Sequence, residues 1–489
     1  MFLQENIMVD IITILMLGKL LTATRKTVLK QQTKKIYLFK MVKKIENILQ
    51  KALPSPFSIA ILLTLLIIVT ALVFTDKKLI EISSFWEKGL WNPYLMNFAM
   101  QMMLMLVLGY VIALTEMFKT IIKNITHLCT NTANAAFIVA CATITVSLFN
   151  WGLGLIFGAI LARKVGEHAL EKNIDLNYPL IGAAGYSGLM VWHGGISGSI
   201  PLKIAEKNHF SEIISNEVIL NQLPKNGIHF SETIFSTMNI VVSILLILLI
   251  PTILFYIGKH SPKTRFKFIS TETKKEKKKL FGAEKLDYSG VFSKIIGLLI
   301  LIVAIITASS SGASFSFITP NFVNLLLLGL AIFFHNNFNT FLSAVNEAIV
   351  SASGILIQFP LYFGIMGIMN ASGLVDICAN FFVNISTHTT YPIFTMLSGG
   401  LVNIFVPSGG GQWAVQGAIV LQSSIELGVS IPKSIMALAY GDQLTNMLQP
   451  FWALPLLGIT QLKAKEILPY TLIIMLIGIV IFSTSLLIF

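Results

Sequence analysis

The sequence predicts an all-α polytopic membrane protein with two inverted repeats, each containing a re-entrant hairpin and a broken transmembrane helix, joined by one linking span. The first observation is composition, since 55% of the 489 residues are apolar and only 12% are charged. So few charges cannot cover the surfaces of soluble domains. The second is that many uncharged stretches are long enough to cross a hydrocarbon core roughly 30 Å thick. The third is that continuous and interrupted apolar stretches follow each other in the same order twice along the chain.

Most of the apolar stretches are continuous, whereas two are interrupted near their middle. The region 133–162 is broken at Asn150, and the region 391–424 is broken at 407–412. Each arm is then too short for a comfortable crossing, so both regions are predicted as re-entrant hairpins with polar tips. The predicted continuous spans are 57–74, 94–115, 233–257, 290–308, 318–334, 343–370 and 467–489.

Two more spans contain residues that weaken a helix. The span 178–204 collects glycines around Gly194, and the span 433–460 contains Asp442 and Pro450. Such backbone is tolerated at membrane depth only where it is buried or lines a cavity. One linking span between two copies with an even number of crossings inverts the second copy. The expected segments are a basic cytoplasmic N-terminal segment (1–50), repeat 1 (51–257), a basic cytoplasmic loop with the linking span (258–317) and repeat 2 (318–489).

The net charge of +12 is concentrated in two places, residues 1–51 and residues 258–289. With the N-terminus cytoplasmic, 28 of the 35 Lys and Arg residues fall on the inner side of the predicted topology. This asymmetry is typical of the positive-inside rule, so the basic segments indicate membrane orientation rather than nucleic-acid binding. We expect a multi-pass protein in the lipid bilayer with its C-terminus outside.

Four interruptions, two hairpin tips and two broken spans, are predicted to converge. Helix ends expose N–H groups without intrahelical partners, and carboxylates bind at such ends. Four of the six tryptophans lie near the breaks, where indole suits a small ligand with a short alkyl tail. The predicted substrate-binding residues are Asn150, Trp151, Gly152, Trp192, His193, Gly194, Ser197, Ser408, Gly409, Gly410, Gly411, Gln412, Trp413, Gln443, Asn446 and Trp452.

Ionisable residues are scarce at the breaks, where no Lys or Arg is expected, so a multiply charged substrate would find no neutralising partner. Asp442 and His193 are the exceptions, and both are predicted to couple a proton or cation to transport. Alternatively, Asp442 caps a broken helix and His193 donates to a backbone carbonyl. The three cysteines are isolated and the sequence lacks a His-Glu-x-x-His pair, so no metal, cofactor or catalytic residue is expected.

The interrupted segments resemble the bacterial short-chain fatty acid transporter family. The resemblance rests on 192–202 (WHGGISGSIPL), 406–413 (VPSGGGQW) and 440–455 (YGDQLTNMLQPFWALP), with 150–154 (NWGLG) matching as well. It covers the chain from residue 43 to the end. The resemblance implies import of short-chain monocarboxylates such as butyrate and acetoacetate across the bacterial inner membrane, by a protein with inverted repeats.

The main hypothesis is therefore a secondary carrier of short-chain fatty acid anions, coupled to a proton or sodium ion. One alternative is a cation-coupled carrier of larger or dicarboxylic anions. A distant one is an intramembrane serine hydrolase, because residues 195–198 fit Gly-x-Ser-Gly with Ser197 as nucleophile and His193 as base. The third alternative is a purely structural membrane scaffold. A homodimer is expected only by analogy with carriers that move one repeat element against a scaffold.

Overall fold

The computed structural model describes residues 56–214, 216–264, 266, 268, 282–310, 317–405 and 409–489. Within these ranges every regular element is a helix, which confirms the all-α fold class. The predicted N-terminal segment 1–50, Ser408 and part of the predicted loop 258–317 lie outside the described residues.

Apolar stretches form helices because a helix satisfies its internal backbone groups without water. Several helices begin at side chains that accept hydrogen bonds from the first turn, namely those of Asn92, Asn131, Ser236, Thr319 and Asn337. The helices before the basic loop are α1 (Pro56–Phe74), α2 (Leu79–Leu90), α3 (Pro93–Ala113), α4 (Glu116–Thr126), α5 (Thr132–Phe149), α6 (Trp151–Glu171), α7 (Tyr178–Tyr186), α8 (Ser199–Ile204), α9 (His209–Ile213), α10 (Glu217–Leu220) and α11 (Thr237–His260).

The second part of the chain begins with a short helix and the predicted linking span, followed by a second series. Its helices are α12 (Glu284–Asp287), α13 (Gly290–Ser310), α14 (Pro320–Phe334), α15 (Phe338–Ala348), α16 (Ser353–Ser372), α17 (Leu374–Ile385), α18 (Tyr391–Phe405), α19 (Gly409–Glu426), α20 (Ile431–Thr445), α21 (Pro450–Thr460) and α22 (Ala464–Ile488).

The predicted continuous spans agree with α1, α3, α11, α13, α14 and α22. The predicted span 343–370 is wrong at its start, where the chain forms the separate amphipathic helix α15 and a short 3-10 segment, Ile349–Ala352. A hydropathy average cannot separate these elements, because the apolar face of α15 continues the apolar run of α16. Among the described residues, five helices are long and apolar enough to cross a membrane, namely α3, α5, α11, α13 and α22.

Both predicted hairpins are present as packed helix pairs. Gly154 faces Ser147 and Gly158 faces Thr143 across the first pair, so α5 and α6 run antiparallel from a turn at Asn150. In the second pair the Gln412 side chain on α19 donates to a backbone carbonyl of α18. Three of the four arms are longer than predicted, with 18 and 21 residues in the first pair and 18 in α19, whereas α18 has 15. Apolar runs mark only part of each helix, since α6 continues through charged residues to Glu171. The re-entrant course of both hairpins stays a prediction.

Both predicted broken spans are interrupted in the structure. After α7 the chain forms two 3-10 segments, Ser187–Met190 and Trp192–Gly194, before α8 begins. After α20 it forms the 3-10 segment Asn446–Leu448, and α21 begins at Pro450. Proline has no N–H to donate and is favoured in the first turn of a helix, so it starts a new helix at this break.

The order of elements is the same in the two halves of the described chain, except that α9 and α10 follow the broken span of the first half only. Each half has an apolar helix, a short amphipathic helix, a second apolar helix, another short amphipathic helix, a hairpin, a broken span and a final apolar helix. The first series runs from α1 to α11 and the second from α14 to α22, with α13 between them. This order agrees with the predicted repeat, whereas its inversion and the four segment boundaries remain predictions.

Candidate functional site

The turn of the first hairpin is formed by Asn150. Its backbone is extended and ends α5, while its side-chain oxygen accepts a hydrogen bond of 2.7 Å from the N–H of Leu153 in α6. Asn150 is fully buried, and its side-chain nitrogen has no hydrogen-bond partner within the described part of the chain. Gly109 of α3 lies against this side chain, where a Cβ would come within 2.3 Å of the Asn150 oxygen. The tip therefore carries one buried, unused donor.

The first broken span contacts this tip through its backbone and one hydroxyl group. The N–H of Trp151 donates to Oγ of Ser197 at 2.9 Å, and the N–H of Ile196 donates to the carbonyl of Leu148 at 2.9 Å. Gly195 is required at this contact, because a Cβ there would lie 2.4 Å from the Leu148 carbonyl oxygen. The two predicted interruptions in the first half thus meet directly.

The two broken spans meet at a buried pair of ionisable side chains. Nε2 of His193 lies 3.0 Å from Oδ2 of Asp442, and both side chains are at most 1% exposed. The N–H of His193 also donates to Oε1 of Gln443 at 3.2 Å. Nδ1 of His193 and Oδ1 of Asp442 lack hydrogen-bond partners among the described residues. The two broken spans are thus joined, inside the protein, by a contact between an acidic and a basic side chain.

The glycines of the second tip pack against this pair. A Cβ on Gly409 would lie 2.6 Å from Nε2 of His193, and one on Gly410 would lie 2.6 Å from the ring of Phe98. Such distances are below any real contact of a Cβ atom, so side chains larger than hydrogen cannot be accommodated without movement. Gly411 is buried beside them. The second tip therefore contacts the first broken span at His193, whose side chain in turn contacts Asp442 of the second broken span.

The predicted polar residues near the second break hold elements together. Nε2 of Gln412 donates to the carbonyl of Gly399 at 2.7 Å, which ties the two arms of the hairpin. Oδ1 of Asn446 accepts from the side chain of Asn403 at 2.9 Å, and the same Asn403 nitrogen donates to the carbonyl of Asp442 at 2.6 Å. Sequence reasoning missed Asn403, although an asparagine inside the apolar arm α18 was a signal for a buried contact.

Three of the four predicted tryptophans form a cluster. The ring of Trp151 lies 5.6 Å from that of Trp192 and 5.3 Å from that of Trp452, centroid to centroid. The indole nitrogens of Trp151 and Trp192 are buried and have no partner in the described structure. Trp413 differs, since its indole N–H donates to His209 at 2.8 Å. Distance along the chain from a break does not fix the direction in which a helical side chain points.

Lys203 is a basic residue near the end of the first predicted broken span, 178–204. Its side chain is 2% exposed, and its Nζ lies 2.5 Å from Glu206 and 3.6 Å from Glu212. Nζ is also 5.5 Å from the centre of the Phe98 ring, which packs on Gly410. The expectation that no basic residue is buried beside the breaks is therefore wrong. The segment after α8 folds back and covers Lys203, which position along the sequence does not reveal.

Among the described residues, no group of three or more His, Cys, Asp or Glu side chains is arranged to hold a metal ion. Gly152 and Gly194 are buried close to the contacts above. A Cβ on Gly152 would lie 3.1 Å from Leu106, and one on Gly194 would lie 2.6 Å from Asn239. Both glycines therefore permit close backbone approach around the site. Helices suited to a membrane, together with polar interruptions buried between them, define a multi-pass membrane transporter.

The comparisons with known proteins agree with this class. The family model described as short chain fatty acid transporter matches residues 37–489, and the chain belongs to that family. A relative in Escherichia coli (strain K12), named for short-chain fatty acid transport, is 34% identical over 443 residues, which cover 89% of this chain and 96% of the relative. A relative of the same name in Haemophilus influenzae is 33% identical over 426 residues, covering 86% of this chain and 93% of the relative.

A solved structure shares the fold. The YdaH transporter of Alcanivorax borkumensis, described as having an unusual topology, superposes with a TM-score of 0.54 at 14% identity and covers 88% of this chain and 98% of its own. The family is one of transporters, so the alternative of a serine hydrolase is not supported. The geometry agrees, because Ser197 accepts a bond from Trp151 while His193 contacts Asp442.

Proposed function

We propose that this protein carries short-chain fatty acid anions such as butyrate and acetoacetate across the bacterial inner membrane, coupled to proton movement at Asp442. The observation that carries the proposal is the convergence of the Asn150 turn, the His193–Asp442 pair and the second glycine tip in one buried region. Each comes from a different interruption, and none of these interruptions would be tolerated in a helix facing lipid.

The substrate carboxylate would bind at the second tip, beside buried donors of the first half. The helix α19 begins at Gly409, and the first turn of a helix exposes backbone N–H groups at the positive end of the helix dipole. The side-chain nitrogen of Asn150 and the indole nitrogens of Trp151 and Trp192 are buried without partners in the described chain. Neutral donors of this kind suit a single negative charge, since a second charge would need a cation.

The short alkyl tail would lie against the tryptophan cluster of Trp151, Trp192 and Trp452. The ring of Trp151 contacts those of Trp192 and Trp452, and indole offers an apolar wall to a short alkyl chain. Lys203 does not favour the alternative of a dicarboxylic substrate, because Glu206 and Glu212 already balance its charge.

Coupling would arise from the pair of His193 and Asp442. A proton shared between them changes the charge of the buried site by one unit, which offsets the charge of one carboxylate substrate. A sodium ion at the same oxygen atoms is the competing coupling ion, and it would leave transport dependent on sodium rather than on the pH gradient.

Counterflow in proteoliposomes tests the proposal. Purified protein is reconstituted with an internal pool of unlabelled butyrate, and uptake of labelled acids of two to six carbons is followed at neutral and acidic pH, with and without sodium. We expect saturable uptake of monocarboxylates that succinate does not inhibit. Absence of any saturable flux would end the proposal, whereas competition by succinate would favour the dicarboxylate alternative.

A further inference from the structure

A second buried histidine lies outside the pair described above. His209, at the start of α9, is 1% exposed and contacts two side chains from different elements. Its Nδ1 lies 3.0 Å from Oε2 of Glu212, and its Nε2 accepts the indole N–H of Trp413 at 2.8 Å. We call Lys203, Glu206, His209, Glu212 and Trp413 the His209 cluster.

The contact with Trp413 determines which protonation state His209 has. An indole nitrogen can only donate, so Nε2 of His209 must be the acceptor and carries no proton. The ring proton therefore sits on Nδ1 and is donated to Glu212. His209 is thus neutral in this arrangement, with both ring nitrogens used.

Protonation of His209 is incompatible with the bond to Trp413. The imidazolium ion carries an N–H on Nε2, which would then face the indole N–H, so two donors would meet without an acceptor. Trp413 lies in the same helix, α19, two positions after Gly411, the last glycine of the second tip. A proton on His209 therefore acts on the element that we propose binds the substrate carboxylate.

Charged and partly exposed side chains around His209 give protons access to its ring. Glu206 and Glu212 are the acidic groups facing it and Lys203 is the basic one, while the neutral Gln101 of α3 contacts Glu206 at 3.3 Å. The side chains of Glu206 and Glu212 are 18% and 13% exposed, so protons reach the cluster through them. The predicted topology puts this cluster on the outer side of the membrane.

Burial lowers the pKa of His209 below its ordinary value, which the hydrogen bond with Glu212 only partly opposes. Burial alone would raise the pKa of Glu212, but the hydrogen bond with His209 and the charge of Lys203 lower it below its ordinary value. At neutral pH the cluster therefore holds a neutral imidazole between a carboxylate and an indole, and it takes up a proton on acidification.

We propose that His209 is a second proton-binding site of this carrier, and that its protonation breaks the hydrogen bond to Trp413 and releases the second glycine tip. The role of His209 in transport rests on the proposed function, whereas the proton-dependent loss of its hydrogen bond to Trp413 does not. It differs from the site of His193 and Asp442 in position, in partners and in the element that it controls.

Tryptophan fluorescence tests the bond without any transport. The difference between the spectra of the unmodified protein and of Trp413→Phe isolates the emission of Trp413. We expect this emission to change on acidification and the change to be lost in His209→Gln, because the amide keeps one donor and one acceptor but takes up no proton. A change that persists in His209→Gln, or no change in the unmodified protein, would overturn the proposal.

A second variant covers the case in which His209→Gln does not fold, as judged by size-exclusion chromatography. Glu212→Gln removes the carboxylate that favours the imidazolium ion, so the midpoint of the fluorescence change should move to lower pH by about one unit. An unchanged midpoint would contradict the proposed site.

Counterflow of butyrate then tests the role in transport. His209→Gln should keep its flux at neutral pH and lose the part of the pH dependence that follows the fluorescence change. If the fluorescence result holds and no butyrate flux exists in either protein, the proposed substrate is wrong but the proton site stands. If flux exists and its pH profile is the same in both, the role of His209 in transport is wrong.

Discussion

At the scale of single residues, the buried pair of His193 and Asp442 is the most informative contact. Their side chains come from two breaks that are 249 positions apart in the chain, yet they lie 3.0 Å from each other. An unpaired carboxylate in such surroundings would be costly, and the contact with His193 offsets part of that cost.

Asp442→Asn should abolish the accumulation of butyrate that is driven by a proton gradient. It should leave the exchange of labelled for unlabelled butyrate unchanged. The amide keeps the size of the side chain and cannot take up a proton, whereas exchange needs no net proton movement. Both activities are measured in the same proteoliposomes. Asp287→Asn, an exposed carboxylate on α12, is the matched control and should change neither. Proton-driven accumulation by Asp442→Asn would show that coupling lies elsewhere.

Ser197→Ala should lower the stability of the protein by about 1–3 kcal/mol, because it leaves the buried N–H of Trp151 without an acceptor. The measurement is the thermal unfolding midpoint in detergent. Ser343→Ala, which removes an exposed hydroxyl bonded within its own helix, is the control and should change stability by less than about 0.5 kcal/mol. Equal midpoints for the two variants would show that the Ser197 contact does not stabilise the first tip.

At the scale of elements, close helix packing depends on a few glycines. The helices α18 and α20 touch at Gly441, where a Cβ would lie 2.1 Å from the carbonyl oxygen of Met396. At this point the two helix backbones are in direct van der Waals contact, with no side chain between them. Small residues pack helices in a membrane in this way. The same helix α20 carries Asp442, so this packing also positions the proposed proton site.

Gly441→Ala should destabilise the protein by about 1–3 kcal/mol, because the backbone of α18 must move to make room for the methyl group. Gly458→Ala is the control within the same broken span. No atom lies within 4 Å of a Cβ at Gly458, and alanine favours a helix by up to about 1 kcal/mol over glycine. Unfolding midpoints in detergent should therefore move in opposite directions, and a shared direction would contradict the packing argument.

Gly410→Ala in the second tip should strongly reduce the rate of butyrate counterflow, because the methyl group would come within 2.6 Å of Phe98 and displace the N-terminus of α19. Phe98→Leu in the same protein should partly restore the flux, since it removes the ring that the methyl group meets. Failure of the double variant, combined with normal size-exclusion behaviour, would indicate that Gly410 acts through something other than space.

At the scale of the whole molecule, the predicted topology rests on the distribution of charge and on the order of the apolar stretches. The two most basic segments, 1–51 and 258–289, fall on one side of the predicted arrangement. The order of helices in the two halves agrees with a repeat, with α13 between them. An odd number of crossings between copies is what would invert the second copy.

Reporter fusions test this topology. With the N-terminus cytoplasmic and nine crossings, alkaline phosphatase joined after Phe489 should be active, because that enzyme folds only outside the cytoplasm. Green fluorescent protein at the same place should be dark, and it should fluoresce when inserted after His260. Fluorescence of the C-terminal fusion would require an even number of crossings and would contradict the inverted repeat.

Much of this protein is determined by the sequence alone. The all-α class, six of the seven predicted continuous spans, the helix pairs of both hairpins and both broken spans follow from apolar length and from residues that interrupt a helix, because these depend on local backbone chemistry. The family resemblance also needs only the motifs around the breaks. These features involve residues close together in the chain, where composition and spacing carry the information.

Only the tertiary structure decides which distant side chains meet. The contact of His193 with Asp442, the burial of Lys203, and the bond that directs Trp413 to His209 rather than to the tryptophan cluster all join separate elements. A sequence read along the chain shows neither the direction of a helical side chain nor which segment covers it. Those depend on helix packing, where glycines allow approach within a few ångströms, and packing is a property of the folded molecule.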